Sequence, residues 1–210
     1  MGVNPGRQTG VGRWPSPLFA GFFLVALPAT SRGHALIRGS GEFSAGLLHP
    51  LITPAHLMVL LAMGLWLGQH PPLRLRVPML LFTTFSAVGL LASAGAWTAA
   101  PAQPVLVVIA LCMALSVAVS ARPPVWVRWP GVALAALAVG LDSGVDPGPP
   151  LAAVATALAG TWISLSLCAL NFSYYTSLCP QKKWAHIGVR VAGSWIAAIC
   201  LLLLAFSFRG

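Results

Sequence analysis

Acidic residues are almost missing: Glu42, Asp142 and Asp146 are the only three carboxylates among 210 residues, against 12 lysines and arginines. With 7% charged and 58% hydrophobic residues the chain lacks the polar cover of a soluble domain, and this composition belongs to a polytopic membrane protein. A formal charge of +9 would point to nucleic acid in a soluble chain. Here the basic residues fall in short loops, where they set orientation, so the partner expected is the lipid bilayer and not nucleic acid. Cysteine is sparse too. Cys112, Cys168, Cys179 and Cys200 form no C-x-x-C pair. Three of them lie in apolar runs and are expected as small buried hydrophobes, not as a disulfide framework or thiolate metal site. Also missing is a catalytic constellation: no nucleophile stands beside a base and there is no phosphate loop, so no enzyme activity is expected.

What the chain has instead is long apolar runs. Residues 1–33 have the layout of a signal peptide: Arg7 and Arg13 form the basic part, 18–29 the apolar part, and small residues follow. Cleavage after Gly33 or after Ala35 satisfies the small-residue rule, with retention as an anchor the alternative. Six further runs follow, near 43–68, 78–99, 104–120, 128–142, 150–173 and 187–208. Pro71-Pro72, Pro101 and Pro104, Pro123-Pro124 and the turn at 146–150 separate them. The predicted fold is all-α, a polytopic bundle of six transmembrane helices after the signal segment, forming one domain over 34–210.

Basic residues orient this bundle in a bacterial inner membrane. With the N-terminus in the cytoplasm, Arg74, Arg76, Arg122, Arg128, Lys182, Lys183 and Arg190 fall inside, leaving Arg32, Arg38 and Arg209 outside. Both ends of the mature chain then face the periplasm. Trp66, Trp126, Trp129, Tyr174, Tyr175 and Trp184 fall at the inner interface and Trp97 at the outer one. The same topology places His34 and all three acids outside, with His49 entering the membrane from that face. A cluster of imidazole and carboxylate suits a cation arriving from the periplasm. Asp142 and Asp146 are equally ordinary turn residues.

The most informative stretch is HPLITPAH at 49–56, which puts His49, His56, Pro50 and Pro54 inside an apolar run. Polar groups in hydrocarbon are costly unless satisfied, and prolines free backbone carbonyls. In a straight helix His49 and His56 would lie ~10 Å apart along the axis, too far for metal–nitrogen bonds of ~2.1 Å to one ion. Pro50 and Pro54 must therefore break the span if both histidines serve one site. Asp142 and Asp146, at i and i+4, would lie ~5–6 Å apart on one helical face. His49 with one or both acids is the expected first shell. For His56 alone, ligation and a hydrogen bond to a neighbouring span both stay open. His70 and His186 are expected solvated beside basic loops, and Met58 and Met63, facing different ways, as packing residues. Ser164, Ser166 and Asn171 either bond across helices or line a pathway. Gly89-x-x-x-Ser93, Ala92-x-x-x-Ala96 and Gly160-x-x-x-Ser164 are small-residue stripes that let helices approach.

Residues 33–69 resemble the HupE/UreJ family, membrane proteins linked to nickel and cobalt uptake for hydrogenase and urease. The resemblance is carried by His34 after the signal segment, His49-Pro50-Leu51, His56, Leu61-Ala62-Met63 and Gly64-Leu65-Trp66. A signal peptide followed by six spans also matches. Departures are clear: Ala55 stands where the family has an aspartate, and the histidine motif of its fourth span is replaced by Asp142-Ser-Gly-Val-Asp146. The fifth-span histidine has no counterpart. Either the site is rebuilt with oxygen ligands or transport has been abandoned. The resemblance thus implies a permease taking up a divalent metal of the nickel or cobalt class from the periplasm, with no tightly bound cofactor. Its candidate metal residues are His34, Glu42, His49, His56, Asp142 and Asp146. The alternative is a non-transporting subunit of a larger membrane complex, partnered by other membrane subunits or by copies of itself.

Overall fold

Proline and glycine decide where this bundle bends and how closely its helices approach. The computed structural model describes residues 41–69, 75–94, 103–144, 149–179 and 183–208, all within one compact unit. The expected signal segment, His34, His70, Trp97 and Asp146 lie outside the described residues. Among those described there are seven helices: α1 (Gly41–Ile52), α2 (Pro54–Gly68), α3 (Arg76–Ala94), α4 (Gln103–Ala118), α5 (Val125–Asp142), α6 (Leu151–Leu178) and α7 (Lys183–Ser207). None of the described residues is in a strand. The chain is a multi-pass helical membrane protein: α3, α5, α6 and α7 are long and apolar enough to cross a bilayer, as is the bent pair α1–α2 taken as one span. α4, at 16 residues, is shorter. Each of the six runs expected after the signal segment contains a helix among its described residues, the first contains two, and α6 continues to Leu178 where the run was expected to end near 173.

The break in the first span has a local cause. Thr53 is extended, with φ −91° and ψ 109°. The ring of the following proline disfavours helical geometry at the residue before it. Pro54 then opens α2, a position where its missing N–H is of no consequence. The two helices meet at a bend of 67°. Pro50 lies inside α1 and cannot donate to the carbonyl of Gly46, four residues back. The Thr161 hydroxyl on α6 donates to that oxygen instead, at 3.1 Å. A neighbouring hydroxyl is one way a membrane helix tolerates an internal proline. Thr161→Val keeps the shape but leaves a buried carbonyl unpaired, which costs about 1–3 kcal/mol. The expected result is a lower thermal midpoint in detergent; an unchanged midpoint would remove this role from Thr161.

Helix crossings explain the small residues. A Cβ on Gly46 would land on the carbonyl oxygen of Ala157, and one on Gly160 would meet the backbone of Phe43 and Leu47, so α1 and α6 pack backbone to backbone. Gly89 and Gly140 do the same for α3 and α5, each within 2.9 Å of the other's Cα once a Cβ is added. α2 is apolar all round and is the buried centre of the bundle, with His56, Val59, Leu60, Met63 and Trp66 among its buried residues. That position corrects the expectation for Trp66, which is 7% exposed instead of lying in the interfacial belt. Trp126, Trp129, Tyr174, Tyr175 and Trp184 are exposed as a belt requires. Met63 is buried and Met58 packs against the core. All four cysteines are free thiols; Cys200 is buried as expected, but Cys168 is only half-buried and Cys112 is exposed because its side of α4 faces outward.

Candidate functional site

The bend at Thr53 sets the geometry of the two histidines. Their ring centroids are 5.2 Å apart with the planes at 70°, about half the axial separation of ~10 Å in a straight helix. An edge-to-face ring pair is favourable in itself. The spacing also suits a shared ion: two imidazole nitrogens at ~2.1 Å from one metal, at near-tetrahedral angles, put their ring centroids about 5 Å apart.

His56 is fully buried, and its Nε2 lies 2.9 Å from Oδ2 of Asp142, whose side chain is 19% exposed. A carboxylate only accepts, so the imidazole N–H donates. Its other ring nitrogen, Nδ1, is buried with no hydrogen-bond partner among the described residues. When the ring is neutral and its proton is on Nε2, the lone pair belongs to Nδ1. An orphaned buried polar atom costs about 1–3 kcal/mol and calls for a reason. A nitrogen lone pair beside a second imidazole is chemistry for a cation.

Of the expected first shell, His49 with one or both acids, Asp146 lies outside the described residues; the pair formed among those described is His56 with Asp142. α1 packs on α6, whereas central α2 carries His56 to the end of α5. α5 ends at Asp142, where Ser143 closes the helix with its N–H donating to Gly140 O at 3.3 Å and its hydroxyl to Val139 O at 2.7 Å. The helix that carries Asp142 therefore ends at that residue. Glu42 is exposed in the first turn of α1, two turns before His49. Among the described residues no three His, Cys, Asp or Glu side chains form a ready-made metal cage. What meets is narrower: the His49 ring against His56, and His56 against Asp142.

The remaining polar residues sort by position. Asn171 is exposed and donates to Leu167 O of its own helix at 2.7 Å, so it neither bridges helices nor lines the interior. Ser164 is buried, and His186 is half-buried on α7. At the end of α2 away from His56, buried Gln69 donates to Ala121 O at 3.5 Å, and Arg190 donates to Ala118 O at 2.9 Å. Among the described residues the arginines thus gather at one end of the bundle and Asp142 at the other. Two almost wholly apolar clefts, of about 440 and 320 Å³, flank α5 around Gly131 and Leu134. Neither includes His56 or Asp142, and their walls suit lipid rather than an ion. Thr161 and Gln69 were not singled out from the sequence. The carbonyl freed by Pro50 was the available signal for Thr161; Gln69 carried none.

Residues 21–203 match the family model described as HupE / UreJ protein. No curated protein and no solved structure matches the chain.

Proposed function

The chain belongs to the HupE/UreJ family, a family linked to nickel and cobalt transport or to urease and hydrogenase maturation, and from that premise we propose that it is a permease for a divalent metal of the nickel or cobalt class. The ion is cargo, taken from the periplasmic side. The observation that carries this reading is the buried His56 Nδ1, without a hydrogen-bond partner, beside the His49 ring at the break between α1 and α2. Broken helices are where membrane transporters place their ion sites. Imidazole suits nickel and cobalt better than it suits magnesium or calcium. Asp142, partly exposed, offers a negative charge at the edge of the site.

The topology that accompanies this reading is six crossings after a signal segment, with the bent α1–α2 pair and short α4 both spanning and both mature ends outside. Its support is the separation of charge, Asp142 at one end of α5 and Arg128 near the other. The test is direct. Purified full-length protein in an uncharged detergent is expected to bind about one Co²⁺ or Ni²⁺, and cells producing it to accumulate labelled metal above cells without it. No binding together with no added uptake would end the proposal.

A further inference from the structure

Resting on that reading of the His56 site, we propose that Asp142 is a positioning residue: it holds His56 so that Nδ1 meets the cation, and does not itself bind the ion. Two observations and one general rule lead there. The contact of 2.9 Å occupies Nε2 and fixes where the ring proton lies, which leaves Nδ1 as the only nitrogen able to ligate. That nitrogen is the buried one with no hydrogen-bond partner. Metal-binding histidines characteristically donate their other N–H to a carboxylate or carbonyl, which fixes ring orientation and raises ligand basicity.

The fold is built to hold this carboxylate still. Gly140, two residues earlier, is locked against Gly89 of α3 by backbone contact, and Ser143 ties off the helix just after. A carboxylate as the last residue of a helix also faces the negative end of the helix dipole, so the position disfavours it without a positive or donating partner. His56 supplies that partner. The carboxyl group spent on Nε2–H lies on the opposite side of the imidazole from Nδ1, and a metal reaching Asp142 directly would have to break the bond.

Cobalt absorption spectra and ¹⁵N-histidine spectra of the full-length protein test the assignment. Asp142→Ala is expected to weaken Co²⁺ binding about 10–100-fold, and Asp142→Asn to recover part of that loss, since its amide oxygen still accepts from Nε2–H. The ligand-field bands keep their shape in both variants, because the ligand set is the same. Altered bands in Asp142→Asn, or undiminished affinity in both variants, would overturn the assignment. The nitrogen spectra, recorded metal-free at alkaline pH, do not depend on transport. They are expected to show the Nε2–H tautomer of His56, replaced by a mixture in Asp142→Ala. A dominant Nδ1–H tautomer in the parent protein would overturn the role even if cobalt binds, whereas the expected tautomer with no cobalt binding would count against the permease reading alone.

Discussion

Cells producing the His56→Gln protein are expected to take up no more labelled nickel or cobalt than cells without the chain, although the protein is inserted at normal level. Glutamine is close to histidine in volume, and its amide can donate to Asp142 as the imidazole N–H does. What it lacks is a second ring nitrogen. Losing Nδ1, a buried nitrogen with no hydrogen-bond partner among the described residues, removes the site, while the 2.9 Å contact to Asp142 and the packing of α2 survive. His56→Ala is the weaker test, because it also opens a space in a fully buried position, and large-to-small changes there cost about 2–5 kcal/mol. His49→Ala is expected to reduce uptake with little loss of stability, since that ring is only half-buried. Undiminished uptake in both His56→Gln and His49→Ala would remove the site assignment.

Why this much was legible in the sequence, and no more, follows from which forces act locally. Lipid leaves a chain few options, so apolar runs translate directly into helices, and each of the six expected after the signal segment is helical among its described residues. The break was legible because a proline acts on the residue beside it: Thr53 is extended for a reason contained in the dipeptide. The consequence of the break was not. Bringing His49 and His56 to 5.2 Å depends on the direction of a 67° bend, and packing against α6 sets that direction. Partner choice was equally hidden. Asp142 and His56 are 86 residues apart, and only the placement of α2 at the bundle centre decides that His56 reaches the end of α5. The spacing of Asp142 and Asp146 promised a shared face only if the helix continued, and Ser143 and Gly144 follow its last turn. Trp66 misled for the same reason as His56: nothing in a uniformly apolar segment tells a central helix from a peripheral one.

Gly46→Leu is expected to leave little folded protein, and Gly46→Ala to fare nearly as badly. The obstacle is the Cβ itself, which would land on the Ala157 carbonyl oxygen and lie 2.8 Å from its carbon. Both atoms are backbone, so no side chain can swing aside, and α1 must lift off α6. Lifting it breaks the Thr161 hydrogen bond to the Gly46 carbonyl, at about 1–3 kcal/mol for the orphaned group. Overpacking adds about 1–3 kcal/mol. The sum is a large share of a typical stability of about 5–15 kcal/mol. Any protein that still folds would have α1 displaced from the break, carrying His49 away from His56, so cobalt binding should fall along with the thermal midpoint. Gly188 on α7 provides the control. A Cβ there meets nothing within 4 Å, so Gly188→Ala should stabilise the helix by about 0.5–1 kcal/mol. The contrast tests the crossing itself: if Gly46→Ala and Gly188→Ala shift the midpoint alike, α1 does not pack on α6 backbone to backbone. The route by which the two histidines meet would then be lost with it.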